Sequence, residues 1–484
     1  MKKAQIFYAD IGDYLTREQK LKIIRNTKSI ENLEMVELHP NKDGDWINLR
    51  NDEFAEYIPI APEKKFKGED KCIFEGYSLG TATNRDVWVY NFSRNELEKN
   101  IKKTIGHYND QLQKIISGKQ AEPVKDSKLG NWTRDWLNQL KKKNSITENL
   151  DEYKFVNYRP FCKMNSYFDD DLNQERYQLT KLFPTSKHSN LVICVSGNGA
   201  NKENGLIITD TIPDLNSLDA GSQCFPLYYY KENEENQNAL FDEFKKDKYI
   251  RHDGITDWIL KQSRSIYGKS VEKEDIFYYV YGFLHSKEYR TKYAADLKKM
   301  LPRIPLVDKK EDFWAFSKAG RQLADLHLHY ETVEPISGLD VKFTGDMGNE
   351  YDYFSVEKLR FPSKDKKDTI IYNSHITISG IPEKAYEYIV NGKSAIEWIM
   401  DRYQVTVDKD SGIKNDCNDW AKEHKKPRYI YDLILSIINV SCQTVDIVNS
   451  LPKIDFGNNE KKEFVYPKID ENQGLLMVAR PDAD

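Results

Sequence analysis

Hydrophobic residues recur at helical spacing in the stretch that follows Ser93. Ser93 and Glu96 form the Ser-x-x-Glu pattern of a capping box, in which the two residues satisfy backbone donors at a helix start. Apolar positions three and four residues apart then place one stripe on the helix, formed by Leu97, Ile101, Ile105, Tyr108, Leu112 and Ile115. The opposite face is polar and carries Lys99, Lys102, Lys103 and His107. The pattern predicts a spacer helix that packs along one side.

Beyond residue 150 the pattern changes to short apolar runs bounded by turn residues. β-Branched and aromatic residues fill 190–195, 205–209 and 225–230, which predicts strands. After Asp275 helical spacing returns, with two amphipathic helices broken at His285-Ser286, a helix through 313–326 and a strongly apolar helix over 431–451. Strand is predicted again for 351–359 and 370–379. Because strands and helices come in blocks rather than in strict alternation, the sequence favours an α+β fold over a doubly wound parallel sheet.

Composition narrows the class of protein without identifying it. The chain has 484 residues, 39% hydrophobic and 12% aromatic, which is enough for buried cores and, as a soft prior, about three domains. Its six cysteines are scattered with no Cys-x-x-Cys pair, a spacing that predicts reduced thiols and no zinc site. The sequence has no run of about 18 apolar residues and no signal peptide, so we expect a soluble cytoplasmic protein that does not bind membranes.

The charge balance gives no direct sign of a nucleic-acid partner. The formal net charge is −5 at pH 7, whereas contacts to phosphate need lysine and arginine. Basic residues do cluster locally, at 141–143, at Lys298-Lys299 with Arg303, and at 364–367. Runs of this kind are commonly solvated faces. Charge alone therefore does not make DNA the first hypothesis.

Two motifs invite a catalytic interpretation and fail on their context. The turn Ser196-Gly197-Asn198-Gly199 imitates a cofactor-binding glycine turn, which must open a helix whose N-terminus faces the ligand. Here it leads within a few residues into another strand, which predicts a β-hairpin and no S-adenosylmethionine site at this position. His327 and His329 are two apart at the end of a predicted helix, so they point in different directions and predict surface or capping roles. No catalytic and no metal-binding residue is predicted.

Several segments, in a fixed order, resemble one known family. The most informative is Asp275–Leu306, where a helical pair is followed by the proline-locked exit Leu301-Pro302-Arg303-Ile304-Pro305. The chain resembles the C-terminal specificity region of type ISP restriction–modification enzymes. The collinear order of the segments is more specific than any one of them, and the others include Asp10–Leu15, Gly80–Tyr90, Tyr158–Phe161, Ile208–Asp210, Ile212–Leu215, Gln223–Tyr228, Asp401–Val405, Gly412–Asp416, Asn418–Trp420 and Pro427–Ile430.

The resemblance implies a domain organisation. In that family a nuclease, a DNA translocase, an adenine methyltransferase and a target-recognition domain lie in that order on one polypeptide. Residues 1–117 are then a connector that follows the methyltransferase core and includes the spacer helix. Residues 118–150 are a linker, and 151–484 are the target-recognition domain, a mixed α/β structure with antiparallel strands. The segment 118–128 is polar and contains glycine and proline, as a linker does.

The resemblance also implies a function. The partner is double-stranded DNA, held as a short asymmetric site for adenine-N6 methylation and for ATP-dependent translocation and cleavage by domains not in this chain. The complete enzyme uses S-adenosylmethionine, ATP and Mg²⁺, and this chain binds no cofactor. A methyltransferase of the family needs an Asn/Asp-Pro-Pro-Tyr/Phe loop, and this sequence has no Pro-Pro pair. We therefore expect no catalysis by this chain alone, with the catalytic domains supplied by another chain or lost from a fragment.

Seven residues are candidates for contacts with DNA. Reading base edges or holding phosphates takes arginine, lysine, asparagine or glutamine on loops and helices. Asn84 and Arg85 lie in a Gly/Thr-rich loop, where an Arg85–Asp86 ion pair is the competing structural interpretation. Arg159 is held extended by Pro160, and a core salt bridge is its competing interpretation. The other candidates are Lys102, Gln223, Lys299 and Arg303.

Two other hypotheses remain open. One is that the chain is part of a split adenine-N6 DNA methyltransferase, active only with a separate core. The other is that it is a degenerate remnant or a protein-interaction scaffold without DNA binding, which the acidic net charge favours. Co-purification with a core distinguishes the first, and absent or salt-insensitive DNA binding distinguishes the second.

Overall fold

The computed structural model describes residues 4–9, 11, 15–33, 35–41, 44–46, 50–62, 71–233, 248–456, 468–469 and 476–477. By its contacts the chain divides into one unit of Met1–Phe54 with Phe456–Asp484 and a second unit of Ala55–Asp455. The predicted division at residues 117 and 150 is a functional one and stays a prediction; both of these points lie within the second unit. Most of the segment at 10–15 that resembles the family lies outside the described residues.

The α-helices of the described residues are α1 (Arg17–Thr27), α2 (Asp86–Val89), α3 (Arg94–Ile116), α4 (Arg134–Lys141), α5 (Leu179–Leu182), α6 (Asp257–Tyr267), α7 (Lys273–Phe283), α8 (Lys287–Lys292), α9 (Ala294–Lys299), α10 (Lys310–Leu328), α11 (Glu350–Tyr353), α12 (Ala395–Arg402), α13 (Cys417–Glu423) and α14 (Tyr429–Asn449). The predicted capping residue Ser93 accepts from the backbone N–H of Glu96 at the start of α3. Ser286 accepts from the N–H of Tyr289 and starts α8, which confirms the break predicted at His285-Ser286.

The strands are β1 (Ile6–Tyr8), β2 (Val36–Leu38), β3 (Ile58–Pro59), β4 (Ser78–Leu79), β5 (Tyr90–Asn91), β6 (Tyr153–Arg159), β7 (Cys162–Tyr167), β8 (Val192–Val195), β9 (Leu206–Thr209), β10 (Ile212–Pro213), β11 (Gln223–Pro226), β12 (Tyr228–Glu232), β13 (Tyr249–Asp253), β14 (Arg303–Ile304), β15 (Asp340–Phe343), β16 (Thr369–Ile371), β17 (Ile376–Ser379), β18 (Ile389–Val390), β19 (Lys393–Ser394), β20 (Thr406–Val407), β21 (Lys414–Asn415), β22 (Lys468–Ile469) and β23 (Leu476–Met477). In the first unit β1 pairs with β2 and β22 with β23, both antiparallel.

Two four-stranded sheets form the centre of the β structure in the second unit. Their strand orders are β10-β6-β7-β5 and β4-β11-β8-β9. Among the strand pairs of the described residues, β10 with β6 is the one parallel pair. Strands β8 and β9 pair antiparallel from Val192↔Thr209 to Val195↔Leu206, which confirms the predicted hairpin. The α+β fold with antiparallel strands, preceded by a spacer helix, is confirmed.

The predicted spacer helix is α3, and its apolar stripe is buried except for the half-buried Ile115. The placement of His107 on the polar face was wrong, because its side chain is buried and its ring packs edge-on against Trp132. Leu97, Ile101, Tyr108 and Leu112 belong to a core cluster that extends to the two sheets and to α14. The ring of Trp136 on α4 packs against Tyr108 with 5.2 Å between centroids. The segment after the spacer helix is therefore attached to it by aromatic packing, which removes large apolar surfaces from water.

Helices α7 and α10 approach so closely that their backbones meet at two glycines. A Cβ atom built on Gly282 would overlap the carbonyl oxygen of Phe316, and one built on Gly320 would overlap that of Tyr278. The same Cβ on Gly320 would lie 2.9 Å from the backbone nitrogen of Gly282. The helix pair therefore depends on the absence of side chains at both positions.

Helix α14 confirms the predicted C-terminal helix within two residues at each end. In the described part of the chain it is the one helix long and apolar enough to cross a membrane, with a mean hydropathy of 1.3 over its most apolar window, but 67% of that window is buried inside the fold. Burial of this kind explains the apolar composition as that of a core helix.

The strand predicted at 351–359 was wrong. Asn349 accepts from the N–H of Tyr351 and starts the short helix α11 in its place. The stretch 370–379 is two strands rather than one, because the side-chain oxygen of Asn373 accepts from the N–H groups of His375 and Ile376 and turns the chain between β16 and β17.

Candidate nucleic-acid interface

The loop of residues 83–86 exposes Asn84 and buries Arg85. Arg85 is 4% exposed; its guanidinium donates to the carbonyl oxygen of Asp171 at 3.2 Å and to the hydroxyl of Thr133 at 2.5 Å. It also lies over the ring of Trp136, 4.5 Å from the centroid, and burial lowers the pKa of Arg85 to about 10. Asn84 is exposed with a φ of +54°. In this loop Arg85 is therefore anchored in the fold, and its neighbour Asn84 is exposed to solvent.

Arg85→Ala tests whether Arg85 stabilises the fold. We expect the free energy of unfolding to fall by about 1–3 kcal/mol, because the hydroxyl and carbonyl groups that accept from Arg85 lose a charged donor. Urea denaturation measures this, with Arg428→Ala as a control because Arg428 makes an exposed ion pair with Asp432 and should change stability by less than about 1 kcal/mol. Unchanged stability with weaker DNA binding would contradict the interior role.

Arg159 lies in a partly buried ion-pair network that ties the loop to β6. Its Nη1 lies 2.6 Å from Oδ1 of Asp214, and its Nη2 lies 3.5 Å from Oδ2 of Asp86. The hydroxyl of Tyr90 donates to the second oxygen of Asp214 at 2.9 Å. Burial raises the pKa of Asp214 to about 6, although Arg159 opposes the rise. The core salt bridge is therefore present, and Asp86 pairs with Arg159 where the sequence suggested Arg85.

Two further candidates bind backbone carbonyls inside the fold. Gln223 lies on β11 and donates to the carbonyl of Gly221 at 3.1 Å. Arg303 lies on β14 and donates to the carbonyls of Ala55 and Tyr57 at 2.8 and 2.9 Å. The bonds of Arg303 tie β14 to the residues just before β3, whereas the bond of Gln223 is local and joins residues two apart. For Arg85, Arg159 and Arg303 the structure supplies a role in holding the fold, and for Gln223 a local hydrogen bond; the contact of all four with DNA stays a prediction.

The other candidates lie at the surface with Asn84. Lys102 is on the polar face of α3, 3.7 Å from Glu98, and its side chain is largely exposed. Lys299 is exposed at the end of α9. The structure brings the 83–86 loop and Arg159 together through Asp86, whereas Lys299 and Arg303 lie on the neighbouring elements α9 and β14.

A two-stranded ribbon of β12 and β13 presents cations and aromatic rings that the sequence analysis missed. Its register is Tyr228↔Asp253 to Glu232↔Tyr249, and the residues that connect the strands, 234–247, lie outside the described part. The rings of Tyr229 and His252 stack at 5.2 Å on one face. Ile250 on the same face is 45% exposed. The available signal was the combination of aromatic and basic residues in Tyr-Tyr-Tyr-Lys at 228–231 and Tyr-Ile-Arg-His at 249–252.

Arg251 is an exposed cation of the ribbon. Its guanidinium lies over the ring of Tyr228, 4.3 Å from the centroid. In the part of the chain that the structure describes, no carboxylate lies within ion-pair distance of it. On the opposite face Lys231 lies 5.6 Å from the ring centroid of Tyr229. Cations held by rings rather than by carboxylates keep their donors available for phosphate or base edges.

The prediction for the two histidines was right for His329 and wrong for His327. His329 is exposed and lies 2.9 Å from Asp325. His327 is buried, with Nδ1 2.6 Å from the hydroxyl of Tyr281 and Nε2 2.9 Å from that of Thr444, because α7 and α14 cover the end of α10. Burial holds the pKa of His327 well below its ordinary value. Among the described residues no group of three or more histidine, cysteine or acidic side chains is arranged to hold a metal.

Comparison with known families decides the identity of this fold. Residues 72–433 match the family model of the Type ISP C-terminal specificity domain. The chain belongs to this family. The predicted family is thereby confirmed, and no curated protein matches the sequence. The matched residues of the specificity domain include all seven predicted contacts and both strands of the ribbon.

Three solved structures resemble this specificity domain. One is a nuclease-deletion mutant of the Type ISP restriction–modification enzyme LlaGI in complex with a DNA substrate mimic, with 34% identity and a TM-score of 0.80. A second is the ATP-dependent Type ISP enzyme LlaBIII bound to DNA, with 36% identity and a TM-score of 0.81. A third is a DrdV–DNA complex, with 29% identity and a TM-score of 0.77. They cover 94%, 94% and 93% of this chain, which itself spans 39%, 28% and 43% of theirs.

Proposed function

We propose that this chain is the DNA sequence-recognition part of a type ISP restriction–modification system. It positions a short asymmetric duplex site for adenine-N6 methylation and for ATP-dependent translocation and cleavage by other domains. The observation that carries the proposal is the likeness, at 34% and 36% identity over 94% of this chain, to LlaGI and LlaBIII in complexes with a DNA mimic and with DNA. Because its partner is DNA, the proposal places this protein in the cytoplasm.

The ribbon and the Asn84 loop are the elements that best fit a duplex. A two-stranded ribbon fits the major groove, which is about 12 Å wide. Arg251 and Lys231 supply donors for phosphates or for guanine, and the exposed side chain of Asn84 supplies a donor and an acceptor for a base edge. The buried pair of Arg159 and Asp214 acts as a positioning support for the loop.

The cofactors of the complete enzyme belong to its other domains in this proposal. A glycine turn of the cofactor-binding kind must open a helix whose N-terminus faces the ligand. This holds for the phosphates of ATP and for S-adenosylmethionine. Here the Gly197–Gly199 turn leads into the second strand of a hairpin instead. Residues at that turn therefore do not fit either group, and we assign this chain no step that uses S-adenosylmethionine, ATP or Mg²⁺.

Selection from a random duplex pool at two salt concentrations tests the proposal. A short asymmetric consensus that contains adenine supports a specificity domain and identifies its target. Salt-dependent retention without a consensus would mean that recognition requires a methyltransferase core. No retention at either salt concentration would overturn autonomous DNA binding and leave the remnant or scaffold hypothesis.

Replacing Arg251 by alanine separates the two kinds of contact. If Arg251 binds phosphate, affinity should fall for every duplex and the slope of log K against log salt should shrink by about 1. If Arg251 reads guanine, the loss should be confined to one position, at about 1–3 kcal/mol. Fluorescence anisotropy on matched duplexes measures both. Arg428→Ala is the control, and an equal loss in both variants would contradict a contact at the ribbon.

A specific observation favours the second candidate, a split methyltransferase. Helix α1 buries none of its residues, and its apolar side chains Leu21 and Ile24 are 48% and 58% exposed. Exposed apolar helix faces commonly mark a surface that another domain covers. Methyl transfer that requires both this chain and a separate core, and that is lost in Ile24→Glu, would establish it. Independent folding and specific DNA binding, unchanged in Ile24→Glu, would leave this candidate without support.

A further inference from the structure

A pocket of about 190 Å³ lies in a part of the chain that the proposed DNA contacts do not use. Its walls come from the β8–β9 hairpin, from α8, from α14 and from residues 387–389. The volume is about six times the ~30 Å³ that one water molecule occupies in the liquid. It therefore has room for one small molecule.

Arg290 supplies this pocket with a half-buried cation that makes no ion pair within the described residues, although the charge of Glu203 at the pocket acts on it. Its guanidinium donates to the carbonyl of Asn204 at 2.7 Å and, at the longer distance of 3.5 Å, to the carbonyl of Leu284. In the described residues no carboxylate oxygen lies within 4 Å of it. A guanidinium has five N–H donors, so these bonds leave donors unused. Burial lowers the pKa of Arg290, which reflects the cost of keeping a charge there.

Tyr388 lines the same pocket, and its hydroxyl is buried and unpaired in the described part of the chain. The side chain is 7% exposed, and its hydroxyl has no hydrogen-bond partner among the described residues. The ring stacks on His327 with 5.0 Å between centroids and 8° between planes, which fixes its position. A buried hydroxyl without a partner is costly and rare in folded proteins. The charge of Arg290 acts on the Tyr388 hydroxyl, so the guanidinium and the hydroxyl lie near each other.

We propose that this pocket binds a small free oxyanion, a phosphate or a carboxylate, between Arg290 and Tyr388. The apolar side chains of Leu206 and Val445 line the pocket as well, so a ligand with a short apolar part fits. Glu203 and Glu387 also line it and are exposed. Carboxylates at the rim repel every anion, and they repel the polyanionic backbone of DNA more strongly than a compact anion of one or two charges.

Thermal unfolding with inorganic phosphate, and in parallel with acetate, tests the proposal against chloride at matched ionic strength. Phosphate or acetate should raise the Tm of the wild-type protein saturably, because a ligand that binds the folded state stabilises it. Tyr388→Phe removes an unpaired hydroxyl, so without ligand it should unfold at the wild-type temperature or above. It should bind the anion about tenfold more weakly, because one hydrogen bond to a charged group is lost.

Arg290→Met should abolish the response, whereas Arg321→Met should keep it, because Arg321 is paired with Glu274 and Asp275 outside the pocket. If Arg290→Met does not fold, Tyr388→Phe decides alone. Equal responses to phosphate, acetate and chloride would overturn the proposal, and so would an unchanged anion affinity in Tyr388→Phe. Duplex affinity should be unaffected in Tyr388→Phe; a parallel loss would mean that the anion is a phosphate of DNA and would overturn the free-ligand assignment.

Discussion

Arg159→Met should lower the free energy of unfolding by about 3–5 kcal/mol, because it leaves the carboxylate of Asp214 buried without its partner. Asp214 is 1% exposed and lies 2.6 Å from Arg159. Methionine keeps most of the buried volume, so the loss reports the charge rather than a cavity. Urea denaturation gives the value, and the exposed pair of Arg428 with Asp432 provides the control Arg428→Met, which should cost less than about 1 kcal/mol.

The cost of Arg159→Met should depend on pH. The pKa of Asp214 is about 6 in the folded protein, above the value of about 3.9 for an unfolded chain. The stability from this carboxyl is therefore fully present below about pH 4 and is lost as pH rises through about 6. Without Arg159 the pKa of Asp214 rises further. The substitution should thus cost less at about pH 5 than at about pH 7.5, and a cost that does not change with pH would exclude the carboxylate as its cause.

Gly320→Ala should destabilise the protein by about 3 kcal/mol, near the upper end of overpacking effects. The new Cβ would overlap the backbone of α7 at Tyr278, where no flexible side chain can move aside. The helices must separate, which also disturbs the packing around Phe316. Thermal and urea unfolding measure the loss, and a Tm equal to that of the wild type would contradict the close approach of α7 and α10.

Gly106→Ala is the matched control for this prediction. Gly106 also lies within a helix, α3, but a Cβ there meets nothing within 4 Å. Alanine loses less backbone entropy on folding and favours helix, so this substitution should raise the free energy of unfolding by about 0.5–1 kcal/mol. Opposite signs for two helical glycines would identify steric contact, rather than glycine itself, as the cause.

The sequence predicted the elements whose signals are local. The cap at Ser93 and the apolar stripe after it were sufficient for α3, and the glycine turn between two apolar runs was sufficient for the β8–β9 hairpin. The error at 351–359 arose because alternating apolar residues can belong to a strand or to a short helix and its flanks. The helix is started by the capping residue Asn349, which precedes the segment whose alternating pattern predicted a strand.

The candidate site was harder to predict because its partners are distant in sequence. The loop was identified, but the ion pair of Arg159 spans 55 residues to Asp214, and Arg85 is held by Trp136 and Asp171. No local pattern distinguishes an arginine that binds a buried carboxylate from one that binds DNA. Arg251 was missed for the same reason, since its ring partner Tyr228 is adjacent only after β12 and β13 pair.

The left-handed backbone at Asn84 limits how this protein could acquire a new target. A φ of +54° is readily adopted by asparagine, aspartate and glycine, and is strained for most other residues. If the loop contacts base edges, few residues are therefore tolerated at position 84. They are asparagine, whose amide suits adenine, aspartate, whose carboxylate suits the amino group of cytosine, and glycine, which has no side chain. Divergence toward other bases would then have to proceed through the ribbon, where the extended backbone accepts most residues other than proline.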